Sequence, residues 1–188
     1  MNEFEGIIMK KSPKNNLIYL RGHHLLCLQG YQGYGYDEKF KKNMDNIFHQ
    51  LNIDNIYNAN NRDKDNKDNI DNNNTNINNY NNVIILTDYP DDLCVCCPKL
   101  KNNQCSGELE NLKQTKENIE KIKTNNEKIV KMDQKVLNET KLKKNTEYTI
   151  EECILAVNKA FSSLKKVKIV CKDCRWENKC LWFQSREL

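Results

Sequence analysis

Apolar residues recur at helical spacing in three stretches of the chain. In "DEKFKKNMDNIFHQL" (37–51), Phe40, Met44, Ile47, Phe48 and Leu51 share one face, which predicts an amphipathic helix. His49 falls roughly opposite Phe40 and reads as a solvated helix residue. In "ELENLKQTKENIEKIK" (108–123), Leu109, Leu112, Ile119 and Ile122 form a narrow stripe among charges. Thr124 and Glu127 then make the T-x-x-E of a capping box, which predicts a break and a new helix over "KIVKMDQKVL" (128–137). The clearest helix starts at Thr149, with Glu152 completing another capping box. It is expected to bury Ile150, Cys153, Ile154, Val157, Phe161 and Leu164.

Two short runs read as strands. "VIILT" (83–87) is β-branched and ends at the turn-forming "DYPDD", and "VKIV" (167–170) is strand-like. Each leads into a group of cysteines. "GYQGYGYD" (30–37) alternates glycine and tyrosine and reads as an irregular loop whose tyrosines pack as lids. The fold class expected is helix-rich α+β, one compact domain with short strands supporting cysteine loops.

Residues 52–82 break every period. They are dominated by Asn and Asp, with isolated Ile and Tyr, and bury too little apolar surface to offset their ordering entropy, so a disordered insert is expected. The organisation predicted is a flexible N-terminus (1–16) followed by a single cysteine-rich, metal-binding domain (17–188) that the 52–82 insert interrupts. The polar composition agrees: only 38% of residues are hydrophobic, and the mean hydropathy is -0.86.

Charge narrows the function further. The 30 basic residues nearly cancel the 26 acidic ones, giving a net +4. The lysines are scattered and not interleaved with aromatics, so no nucleic-acid partner is expected. No apolar run is long enough to cross a bilayer, and the start lacks the pattern of a secretory signal, so a cytoplasmic protein without membrane partners is expected. In a reducing compartment, nine cysteines point to metal binding, redox work or core packing more than to disulfides.

The cysteines fall into groups. Cys94 and Cys97 form a C-x-x-C followed by Pro98, with Cys105 beyond the polar turn "KNNQ", while Cys96 between the pair is expected to face away. Cys171 and Cys174 form a second C-x-x-C, with Cys180 after "RWENK". A two-residue spacer lets two thiolates converge on one metal while intervening amides point at the sulfurs. Each group offers three thiolates, so either they share a site or each borrows a ligand. "RGHHLLC" (21–27) can lend one: in a helix, Cys27 lies one turn beyond both His23 and His24. The competing reading makes Leu25, Leu26, Cys27 and Leu28 a buried helix with structurally bonded histidines. Cys153 lies in an apolar stripe and reads as core. Zinc and iron–sulfur clusters both accept thiolates, and the apolar Trp176, Leu181, Trp182 and Phe183 around Cys180 favour the cluster.

Taken in order, "RGHHLLCLQGYQGYGYDEKFKKNM", "DDLCVCCP" with Cys105, "DQKVL" and "CKDCRWENKC" resemble an uncharacterised bacterial and archaeal family, domain of unknown function 1284. The resemblance skips the Asn-rich insert and much of 108–126, and it departs at Gly22, where the family often has Pro. It implies iron–sulfur binding, with His23, His24, Cys27, Cys94, Cys97, Cys105, Cys171, Cys174 and Cys180 at signature positions and Cys96 and Cys153 outside the pattern.

The cofactor expected is thus an iron–sulfur cluster of undetermined nuclearity, with zinc as the alternative. The roles expected are electron transfer, redox sensing or cluster-dependent chemistry, with a redox protein or small-molecule substrate as partner. An iron left short of a cysteine would offer an open position, beside which His23 or His24 could act as general base. The alternative is a structural zinc-binding interaction module without catalysis. A thiol oxidoreductase using Cys94 and Cys97 fits least, because the strand–helix alternation of that fold is missing.

Overall fold

Two parallel strands set the frame of the protein. The computed structural model describes residues 17–53, 56, 83–109, 115–172 and 174–186. Strand β1 (Leu17–Arg21) pairs with β2 (Val83–Thr87) from Leu17↔Val83 through Arg21↔Thr87. The two-residue β5 (Glu147–Tyr148) adds antiparallel to the other side of β2. Ile18, Leu20, Ile84 and Leu86 are buried, each worth about 1.5–3 kcal/mol in apolar burial. Parallel strands end at the same edge, so the segments after Arg21 and after Thr87 emerge side by side. Carboxyl ends of parallel strands are where open sheets place ligands.

Six α-helices cover this frame among the described residues. Helix α1 (His24–Gly30) follows β1 directly, and α2 (Glu38–Gln50) starts at Asp37, whose side chain accepts the Phe40 N–H at 2.7 Å. Phe40, Met44 and Ile47 face inward and His49 outward, as the pattern predicts. The expected insert 52–82 starts too early, however. Asn52 turns the chain with a φ of 53°, Ile53 is fully buried and Ile56 packs on the core, because two more apolar side chains can still reach the helix-lined interior. The rest of that expectation, and the 1–16 terminus, lie outside the described residues.

The predicted break at Thr124 does not occur. Helix α3 runs uninterrupted from Lys116 to Thr140, capped by Thr115, whose side chain accepts from the Asn118 N–H. The two asparagines between Thr124 and Glu127 bond to neighbouring elements. Asn126 Oδ1 accepts the Cys105 N–H at 2.9 Å, and Asn125 donates to the Ser106 carbonyl at 3.0 Å. These bonds tie α3 to the hairpin of β3 (Leu100–Lys101) and β4 (Gln104–Cys105). The hairpin turns at Asn102 and Asn103, both at positive φ, which asparagine tolerates.

Helix α4 (Ile150–Ala160) forms with its capping box, Thr149 and Glu152 each accepting the other's backbone N–H. It buries Ile150, Cys153, Ile154 and Val157. It ends before Leu164, which belongs to α5 (Leu164–Cys171), so "VKIV" is helical and not a strand. Val167 and Val170 are buried one turn apart while Ile169 is exposed, a burial pattern of period three to four that a four-residue apolar run could not reveal. The short α6 (Leu181–Gln184) packs against α1. No described helix is long and apolar enough to cross a membrane.

Candidate metal centre

At the shared edge of β1 and β2, two histidines each meet a buried carboxylate. His23 Nδ1 lies 2.5 Å from Asp133 Oδ1, which also accepts the His23 N–H at 3.1 Å. Asp133 Oδ2 accepts from Arg21 Nε at 2.7 Å, and both of those side chains are fully buried. His24 Nδ1 lies 2.6 Å from Asp91 Oδ2, and Asp91 further accepts from the Arg21 and Cys94 backbone N–H groups at 2.6 and 3.0 Å.

Burial and the neighbouring His24 lower the pKa of His23 more than Asp133 raises it. A neutral His23 ring carries its proton on Nδ1, facing the carboxylate. Burial alone would raise Asp91, but His24, the Arg21 backbone N–H and the Cys94 side chain hold it at about 2. Asp133 is lowered against its burial by His23 and Arg21. With a carboxylate at Nδ1, the neutral form of either ring has its lone pair on Nε2. The ring centroids are 4.2 Å apart.

Four thiols meet on the far side of α1. Cys27 from α1, Cys171 from the end of α5, Cys174 and Cys180 line one cleft, walled by Leu26, Tyr34, Trp176, Trp182 and Phe183. Burial and then Cys171, Cys174 and Cys180 push the Cys27 thiol up, and burial, Cys174 and Cys180 push Cys171 up to about 12. Such a group is costly to ionise unless a cation joins it. Backbone donors are already aimed at two of the sulfurs: Phe183 N–H donates to Cys180 Sγ at 3.4 Å, and Trp176 N–H to Cys174. Tyr34 stacks on Trp176 at 5.0 Å and donates to the Gly30 carbonyl at 3.0 Å, closing the cleft. The tyrosine-rich loop thus packs as a lid.

The remaining signature cysteines face a cavity of about 280 Å³ that shares Cys27, Tyr34, Cys171, Cys174 and Trp176 with the cleft. Cys94 and Cys97 come from the single 3-10 turn Cys94–Cys96, where Cys97 N–H bonds the Cys94 carbonyl at 2.9 Å, and Cys105 comes from β4. Burial pushes Cys97 up to about 11, with Cys105 adding to the rise and the Lys99 backbone N–H opposing it. Burial and Asp91 push Cys94 up strongly. His23, His24 and Arg21 line the same cavity.

The structure therefore gathers Cys27, Cys94, Cys97, Cys105, Cys171, Cys174, His23 and His24 around one cavity, with Cys180 in the adjoining cleft. Cys96 does not line either space, and Cys153 is fully buried in the core. The sequence reading missed Asp91, Asp133 and Arg21. A signal existed for Asp133: it sits at i−3 and i−4 from Val136 and Leu137 on the buried face of α3, an unusual place for a carboxylate without a partner. His24, Asp91 and Cys94 also bring three donor atoms within 4.8 Å of one another, a grouping able to hold a metal ion.

No curated protein matches the chain, and no solved structure does. The sequence profile of one family, described as protein of unknown function (DUF1284), matches residues 63–180, more than half of the chain. The segment with His23, His24 and Cys27 precedes that match, so its place at the site rests on the structure. With "DDLCVCCP", "DQKVL" and "CKDCRWENKC" all inside the match, the chain belongs to the DUF1284 family.

Proposed function

We propose that this is an iron–sulfur protein whose cluster is held by Cys27, Cys171, Cys174 and Cys180. The observation that carries this reading is the meeting of four thiols, from α1, the end of α5 and the turn before α6, in one cleft walled by aromatic and aliphatic side chains. Several features suit the donor set to such a group. Amide N–H groups already point at the Cys180 and Cys174 sulfurs, as they do around cluster thiolates, and hydrogen bonds to sulfur tune the reduction potential. The cleft opens into a larger cavity with three further thiols, more sulfur and more room than one zinc ion uses. A cluster held there would supply one-electron transfer.

The chain's own residues have separable tasks in this reading. Trp182, Phe183, Leu26 and the Tyr34–Trp176 stack keep water from the sulfurs. Asp133 and Asp91 hold the Nδ1 atoms of His23 and His24, which line the cavity, and leave Nε2 of each ring as the atom that takes a proton. Lys99, Lys172 and Arg175 line the same cavity and favour an anionic substrate or an acidic redox partner. A cytoplasmic setting, which keeps thiols reduced, fits this chemistry.

The test is a visible absorption spectrum of protein purified without oxygen, with iron, zinc and acid-labile sulfide assayed on the same sample. A brown protein with matched iron and sulfide is expected. A colourless protein holding zinc alone sinks this reading and leaves a structural module.

A further inference from the structure

The four-thiol cleft does not use Cys94, Cys97 or Cys105, and those three face the cavity from its other side. Three thiolates are one ligand short of a four-donor site. Among the described residues, His24 lines the cavity with them and groups with Cys94 and Asp91 within 4.8 Å.

Asp91 itself is a poor ligand. One of its oxygens already accepts from Arg21 N and His24 Nδ1, and the other from Cys94 N. A carboxylate that holds Nδ1–H in this way fixes the tautomer and leaves Nε2 as the donor, the arrangement common to metal-bound histidines. Asp91 therefore positions both His24, through the ring, and Cys94, through its backbone.

A second observation comes from Arg21. Its guanidinium is fully buried, two of its nitrogens are bonded, and Nη1 has no acceptor among the described residues. Arg21 and Cys94 line the same cavity. A buried N–H without a partner is costly, and an anionic group held in that cavity would supply the missing acceptor.

We propose that His24, Cys94, Cys97 and Cys105 hold a second, separate metal centre facing the cavity, positioned by Asp91. This rests on the iron–sulfur reading of the four-thiol cleft for the identity of the metal, but not for the existence of the second site. The two centres differ in kind. The four-thiol centre is walled by aromatics, whereas the second has a nitrogen ligand, faces open space and borders the cationic Lys99. Replacing thiolate by imidazole raises a cluster's reduction potential, so the centre at His24 would be reduced first.

The experiment counts metal per folded chain in anaerobically purified wild type, Cys97→Ala and Cys180→Ala, with pulsed EPR of the reduced wild type carrying 15N-histidine. Two centres in the wild type, with each variant keeping about half the metal, and a histidine nitrogen coupled to the spin, are expected. His24→Ala should remove that coupling while His23→Ala keeps it. One centre in the wild type, unaffected by Cys97→Ala, overturns the inference, as does wild type without nitrogen coupling. Zinc without iron overturns the iron–sulfur reading instead, and one or two zinc ions per chain, split by the same variants, then decides the second site. The nitrogen signal needs no substitution, so a variant that fails to fold does not remove the test.

Discussion

Arg21 and Asp133, 112 positions apart in sequence, form a fully buried ion pair at 2.7 Å. It fastens the end of β1 to the middle of α3, and Asp133 simultaneously orients His23. Gly22 makes the approach possible, because a Cβ there would come within 2.7 Å of the Asp133 carbonyl oxygen. Any larger residue at this position would demand a different spacing between β1 and α3.

Asp133→Ala leaves a buried guanidinium without its partner. Such losses cost about 3–5 kcal/mol, so a large fall in the urea midpoint is expected. Arg21→Met combined with Asp133→Leu removes both charges and should restore much of that stability. If Asp133→Ala unfolds at the wild-type midpoint, the pair contributes nothing and the link between strand and helix lies elsewhere.

Gly30→Ala tests how the four-thiol cleft is built. An alanine Cβ there would overlap the Cys180 sulfur and crowd the Trp182 Cβ. Gly30 closes α1, so the substitution should leave helix content nearly unchanged. Iron is expected to fall with little change in far-UV circular dichroism. Full metal retention would show that Cys180 is free to move aside and is not fixed by α1.

These relationships explain which parts of the molecule could be read from the chain. Local chemistry was legible: the Thr149 capping box, the face of α2, β2 and the core position of Cys153 all follow from residues within one or two turns. Features set by distant partners were not. Thr124 and Glu127 read as a new helix start, but the helix runs through them, and Asn125 and Asn126 between them bond to Ser106 and Cys105, about 20 residues away. The strand β1 depends on pairing with β2 across a long insertion, and "VKIV" is too short for its period to show. The grouping of cysteines was visible as spacing, but their division into sets of four and three needed the fold. The helix α1 supplies Cys27 to one set and His24 to the neighbourhood of the other, and no spacing along the chain records that.

Cys153 is a control for the thiols proposed to bind metal. It is fully buried among α4 core residues, and burial pushes its thiol up to about 12. Cys153→Ala should cost about 1–2 kcal/mol through the small cavity it leaves, with no change in metal content. Cys171→Ala, at the partly buried end of α5, should lose metal. Equal metal loss in both would mean that Cys153 supports the site indirectly and that the core reading is incomplete.

Asn126 offers a way to disturb the second centre without touching a proposed ligand. Its side chain accepts the Cys105 N–H from across the groove between α3 and the β3–β4 hairpin. In Asn126→Ala the half-buried N–H loses its partner, at a cost of about 1–3 kcal/mol, and the hairpin loses one of its ties to α3. Asn125 still holds Ser106, so the hairpin should stay folded but sample more positions. Chelator-driven metal release should then become biphasic, with about half the metal leaving faster than in the wild type and the rest at the wild-type rate. Uniform acceleration of all the metal would mean that the cysteines act as one coupled site. No acceleration would mean that Cys105 is not a ligand.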